Sequence, residues 1–171
     1  MKSFPLAAAA LVLASALPAI AQQPTVNLQP YRLSGPRELK DETRTAVIRD
    51  YLEAWQSLRT ALSANQPSAL DRDFMGDAKD MLSATIRDQV TTGTSTRYLD
   101  VNHDLQVVFY SPEGLSVELV DTVRYNMEFL EHGKVLATAT ERARYVVVMT
   151  PTETRWRVRI FQGGPLNEGS H

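Results

Sequence analysis

The hydrophobic period of the chain changes at Gly93, and that change limits what the chain can fold into. From Asp41 to Gly93 apolar residues recur at helical spacing; after Gly93 they alternate with period two and β-branched and aromatic residues take over. Helices followed by strands, with no βαβ alternation, make an α+β fold with an antiparallel sheet. Val47, Ile48, Tyr51, Leu52, Trp55, Leu58 and Leu62 mark one face of a long first helix, with Asp41 or Thr43 available to cap it. Pro67 opens a short second helix in "NQPSALDRDF" that ends near Gly76. Asp77 and Asp80 start a third, whose Ala78, Met81, Leu82, Thr85 and Ile86 share a face until Gly93 stops it.

Four strands follow, and their turns predict the register. The apolar row of the first is Leu99, Val101, His103, Leu105, Val107 and Phe109; that of the second runs from Leu115 to Phe129 and includes Asp121 and Tyr125. "SPEG" fits a three-residue loop of Pro112, Glu113 and Gly114, so that Ser111 flanks Leu115 and His103 faces Val123. His103 and Asp121 then become diagonal neighbours on the buried face, with Cβ atoms roughly 7 Å apart. "EHGK" fits a two-residue turn with Glu131 facing Lys134. This register turns Arg142, Arg144, Leu136, Val146 and Val148 of the third strand inward, with Arg144 completing a polar cluster around Asp121. A bulge in that strand would instead turn Arg142 and Arg144 out and bring Glu141 and Tyr145 in. In the fourth strand Trp156, Val158 and Ile160 face inward, alternating with Arg155, Arg157 and Arg159.

Residues 1–21 read as a secretory signal: Lys2, an Ala/Leu-rich run from Leu6 to Ile20, and a small-x-small site ending at Ala21. The expected location is therefore periplasmic or secreted, without a membrane anchor. With Lys2 removed, the 18 basic residues fall to 17 against 20 acidic ones, a net charge of −3 that argues against nucleic acid as a partner. The chain has no Cys, which excludes thiol chemistry and disulfide staples, so packing must stabilise the fold. Residues 22–40 contain Pro24, Pro30 and Pro36 and read as an extended lead-in. The domain proper is expected over 41–163, with a flexible tail over 164–171.

The element order, the "YLEAW" helix and the terminal "RWRVRIF" strand resemble the cone-shaped fold of the nuclear transport factor 2 superfamily over about Thr43–Gln162. The resemblance implies three N-terminal helices covering the concave face of a curved four-stranded meander and leaving a pocket, used by some members for catalysis and by others for binding or docking. Ketosteroid isomerase-like members place a Tyr and two acids there. Dehydratase-like members use His and Asp, which His103 and Asp121 match; Asp121 with Arg144 matches part of the hydrolase-like pattern.

Candidate ligand-binding residues are thus His103, Asp121, Arg144, Arg142, Tyr125 and Trp156, with His103 and Asp121 as catalytic candidates, a base and its orienting acid. Their bland reading is a satisfied polar pair in the core. "DRDFMGDAKD" fails as a calcium loop, because Met75 and Leu82 stand where oxygen ligands are needed; its acids read as turn formers and caps. The three His are isolated, so no metal is expected, and no nucleotide or serine-hydrolase motif occurs. No cofactor is expected. The arginines of the last strand offer an anion site, a dimer face or a solvated row paired with Glu118 or Glu128. The favoured function is a non-enzymatic domain for a small apolar molecule or a protein partner, with a homodimer through the sheet as one possibility. The alternative is a cofactor-free lyase or isomerase acting on an apolar substrate. Pocket geometry discriminates: Trp55 and Trp156 filling a closed cone favour docking, whereas a cavity reaching His103 favours an enzyme.

Overall fold

The computed structural model describes residues 24–30, 33 and 37–166. In chain order its elements are β1 (Thr25–Leu28), α1 (Asp41–Ala64), a 3-10 turn (Pro67–Leu70), α2 (Gly76–Thr92), β2 (Thr94–Tyr110), β3 (Val117–Glu131), β4 (Lys134–Pro151) and β5 (Trp156–Pro165). The signal segment and the last five tail residues lie outside the described residues.

The helices follow the sequence with two corrections. α1 starts without a side-chain cap: Lys40 is the extended flanking residue, and Asp41 is already helical, ion-paired to Arg44 at 2.8 Å. Its charge there still complements the helix dipole. The expected second helix is only a single 3-10 turn, because "PSAL" is too short to repay nucleation before the chain must turn back. Gly93 ends α2 as expected, in the left-handed region at φ 69°.

The sheet has five strands in the order β1-β2-β3-β4-β5, one more than the sequence pattern shows. β1 comes from the lead-in and pairs in parallel with Asn102–Leu105 of β2. Pro24 and Pro30 bracket it, and an edge strand between prolines is permitted where a central one is not.

Register differs from expectation at the hairpins and agrees in the middle of β2 and β3. Ser111 N–H donates to Ser116, so the first loop is Pro112–Leu115, one residue longer than expected, and Leu115 is exposed. A bulge between Val107 and Phe109 absorbs the extra residue, so Tyr110 rather than Phe109 is buried. Past the bulge His103 faces Val123 and Leu105 faces Asp121, as the turn chemistry predicts. A second bulge between Leu99 and Asn102, with Asp100 at φ 50°, moves the inward row onto Tyr98 and Thr96.

In β4 the turn prediction holds at the tip and fails beyond it. His132 and Gly133 take φ 49° and 78° in a two-residue turn, and Glu131 faces Lys134. Then Leu130 faces Val135 while Phe129 faces Ala137, so Leu136 is a bulge. The inward row moves onto odd positions: Ala143, Val147 and Met149 are buried and Tyr145 is half-buried. Arg142, Arg144, Leu136 and Val146 are exposed, which corrects their expected inward placement. At the β4–β5 hairpin Thr152 pairs with Arg155, so odd faces even; Trp156 and Val158 are buried, and a further shift at the next step buries Phe161 in place of Ile160.

The core lies between the helices and the concave face, with Val47, Tyr51, Leu70, Ile86, Leu119 and Val147 fully buried. Each such aliphatic side chain contributes roughly 1.5–3 kcal/mol by burial. One end of this core is fastened by charge. Asp73 is fully buried, hydrogen-bonds Ser57 and pairs with Arg155; Arg155 and Arg72 also meet Glu53 at 2.8 and 2.9 Å. The buried Asp50 accepts the backbone N–H of Trp156 at 2.8 Å. Asp73 is therefore a buried anchor and no helix cap. Arg157 donates to the carbonyls of Asp71 and Phe74, so Arg155 and Arg157 clamp the turn before α2 and pair with neither Glu118 nor Glu128.

Candidate functional site

Two features sit side by side beneath α1: a buried polar chain and an apolar cavity. The polar chain begins where part of the sequence reading holds. His103 from β2 and Asp121 from β3 both face inward, and His103 Nδ1 lies 2.7 Å from Asp121 Oδ2. Their side chains are 1% and 0% exposed. Two residues of "YLEAW" complete the chain. Tyr51 O–H donates to the same Asp121 oxygen at 2.7 Å, and Trp55 Nε1–H, one helical turn on, donates to Tyr51 at 2.8 Å. Burial pushes the Tyr51 hydroxyl well above its ordinary pKa, and the Asp121 charge pushes it further, so it stays a neutral donor. With Asp121 as carboxylate, Nδ1 of His103 carries the proton that bridges them. Asp121 Oδ1 is buried without a hydrogen-bond partner among the described residues.

The cavity of about 500 Å³ is lined by Leu58, Leu82, Met127, Tyr145, Phe161 and neighbouring residues, with Thr96, Tyr98 and Gln162 adding polar atoms. Neither His103 nor Asp121 belongs to its lining. Trp55 stands between: its ring lies 5.2 Å from His103 on one side, and 6.2, 5.5 and 5.8 Å from Tyr98, Tyr145 and Phe161 on the other. Burial, with Tyr125 beside it, raises the Tyr98 pKa to about 12. Tyr145 is likewise raised, by burial first and then by its hydrogen bond with Tyr125. Both hydroxyls are thus held neutral near pH 7. Gly163 belongs to this wall because a Cβ there would lie 2.4 Å from the Tyr145 ring.

The six residues singled out by sequence separate into three groups. His103 and Asp121 come together as expected. Tyr125 is buried behind the cavity wall, 4.7 Å from Tyr98 between ring centres. Trp156 is buried too, at the β4–β5 hairpin beside Asp50, and does not line the cavity. Arg142 and Arg144 lie on the convex face, because the Leu136 bulge reverses their side; Arg144 pairs with Thr122 and never meets Asp121. Sequence reasoning missed Tyr51 and Trp55 as members of the polar chain. Their spacing of four, with a polar handle on each ring, was the available signal. Tyr98 was missed because a bulge places it inward, whereas Tyr145 comes in as the bulged alternative for that strand expects.

No protein-family model matches the chain, and no curated protein matches it. Solved structures resemble it in fold. The intermembrane-space region of the chloroplast protein ARC6 superposes with a TM-score of 0.57 at 12% identity, over 76% of this chain and 98% of that one. A putative scytalone dehydratase from Novosphingobium aromaticivorans gives 0.50 at 13% identity, over 74% and 89%. Hexachlorocyclohexane dehydrochlorinase LinA-type3 from Novosphingobium barchaimii gives 0.50 at 14% identity, over 77% and 98%. With helices packed on one face of a bulged, mostly antiparallel sheet, the chain is similar in fold to nuclear transport factor 2-like (SnoaL-like) proteins.

Proposed function

We propose that this chain is an exported, non-enzymatic domain that holds a small, mostly apolar molecule between α1, α2 and the concave sheet face. The observation that carries this reading is the cavity of about 500 Å³, apolar in most of its lining and walled off from the His103–Asp121 pair by Trp55. A pocket of that size suits a ligand of drug-like dimensions. The neutral hydroxyls of Tyr98 and Tyr145 supply a donor for one polar group on the ligand. Export rests on the signal-like residues 1–21.

Titration with an uncharged naphthylamine fluorophore tests it. Saturable binding that Leu82→Trp abolishes by filling the cavity, with the melting temperature retained, supports the reading. Absence of saturable binding overturns it. A second reading, a lyase or isomerase with His103 as base and Asp121 as its orienting acid, draws on their 2.7 Å contact. The dehydratase and dehydrochlorinase names of two fold neighbours belong to those proteins, and identities of 13% and 14% carry only the fold. For chemistry Trp55 would have to swing aside, so Trp55→Ala should then create turnover on a cavity ligand. Under the binding reading it should only enlarge the cavity.

A further inference from the structure

The outer half of β4 has an open backbone edge. β5 pairs with β4 from Pro151 back to Ala143, and the amide of Leu166 then donates to the carbonyl of Arg142 at 2.8 Å. Among the described residues nothing continues along the edge beyond that point. In an antiparallel ladder alternate residues direct N–H and C=O to the same side. The Arg142 carbonyl points toward β5, so the backbone groups of Thr140 and Thr138 point to the same, open side. Natural sheet edges are guarded by charges, prolines or bulges against exactly such openings being filled by another chain. Val135–Thr140 holds no charge and no proline, and Val135 and Leu136 are 49% and 63% exposed; the bulge at Leu136 guards only the hairpin tip.

The inner end of the same edge is basic. Arg124 and Arg142 are direct cross-strand partners, and Arg144 lies diagonal to Arg124 on the same convex face. All three are exposed, and none has an ion-pair partner among the described residues. Like charges directly opposite one another are destabilising, and here nothing in the described chain relieves them. Arg124, Thr140 and Arg142 line a groove of about 420 Å³ where β5 stops, with Leu166 on its far side and Glu141 as its one acid.

We propose that the Val135–Thr140 edge takes up an extended acidic peptide as an added strand, its carboxylates held by Arg124, Arg142 and Arg144. Main-chain hydrogen bonds to Thr138 and Thr140 would supply sequence-independent affinity, and bidentate guanidinium–carboxylate pairs would select for acid. Charge argues for a peptide over a second copy: antiparallel pairing of two such edges about a two-fold axis would set Arg142 of each copy beside Lys134 of the other. This surface is separate from the cavity, so its test does not depend on the small-molecule reading.

Short random peptides displayed on phage are selected against the full chain, and a selected peptide is then titrated by fluorescence anisotropy. The expected winners are rich in Asp, Glu and β-branched residues. Arg124→Glu combined with Arg142→Glu should weaken their binding about tenfold or more, the loss expected from charge-assisted bonds. Thr138→Pro should do the same by removing an edge donor, and sedimentation should show a monomer. The charge-reversal variant keeps the test decisive if Thr138→Pro fails to fold. Selection of nothing, selection of neutral or basic sequences, or binding indifferent to the arginine reversals overturns the proposal. So does a dimer that Thr138→Pro dissolves, which would assign the edge to a second copy.

Discussion

The two ends of the cone are held by different physics. At the β4–β5 hairpin, buried Asp50 and Asp73 tie α1, the 3-10 turn and β5 together through Trp156, Arg155 and Ser57. At the β3–β4 hairpin the sheet runs past its helices: Phe129, Val135 and Leu136 are exposed, and the space between sheet and helices is the cavity. Burying a charge is tolerable only where every partner is fixed, so the ionic end must be rigid. Leaving Phe129, Val135 and Leu136 partly open forgoes burial energy but strands no charge, and it leaves room for a guest. One end specifies the structure and the other is available for use. The Trp55–Tyr51–Asp121–His103 chain lies between them.

That contrast breaks most readily at the ionic end. Asp73→Ala leaves Ser57 without its acceptor and Arg155 with Glu53 alone, and should cost about 3 kcal/mol in denaturant unfolding, the low end for removing one partner of a buried pair. A cost near that of a surface substitution would mean the clamp is idle. Asp121→Ala, in the middle, leaves the Tyr51 hydroxyl and His103 Nδ1 without their acceptor and should cost about 2–3 kcal/mol by the same measurement. An unchanged unfolding midpoint would show that the polar chain contributes nothing to the fold.

The open end should respond to alkali. Tyr98 has its pKa raised from 10.0 to about 12 in the fold. Below pH 10 it is protonated folded and unfolded alike, so its contribution is fully present; between pH 10 and 12 only the unfolded chain releases the proton, and stability falls as pH rises. The loss should be on the order of 2 kcal/mol across that window, and Tyr98→Phe should reduce it. Melting curves of the two proteins at matched pH measure the difference. Smallest of all, Leu136→Ala at the exposed hairpin tip should change stability by no more than about 0.5 kcal/mol, since no partner is lost there.

How much of this was legible follows from where bulges fall. The α+β class, the Gly93 boundary, the His132–Gly133 turn and the meeting of His103 with Asp121 each rest on a local signal that tertiary packing had no reason to override. The expected second helix was illegible as a 3-10 turn because Pro67 and its neighbours suit either form. β1 was hidden because four residues between prolines carry no periodicity. Arg142, Arg144, Tyr98 and Tyr145 fell on the wrong side because period-two reasoning carries one parity along a strand, and each single-residue bulge inverts it. The bulges leave no mark in the alternation itself; the one in β4 entered only as an alternative register, and the one beside Asp100, a residue type tolerant of positive φ, did not enter at all.

β1 also sets a timing problem for the growing chain. Thr25 pairs with Asn102, so the first strand to leave the ribosome waits for a partner 77 residues behind it. Helices and hairpins of β2–β5 close through shorter loops and need not wait, so β1 docks onto a sheet that already exists. What arrives last with four residues of pairing should also leave first: the amides bonding Thr25–Leu28 to β2 are expected to exchange hydrogen by local opening, while the centre of β3 exchanges only when the whole domain unfolds.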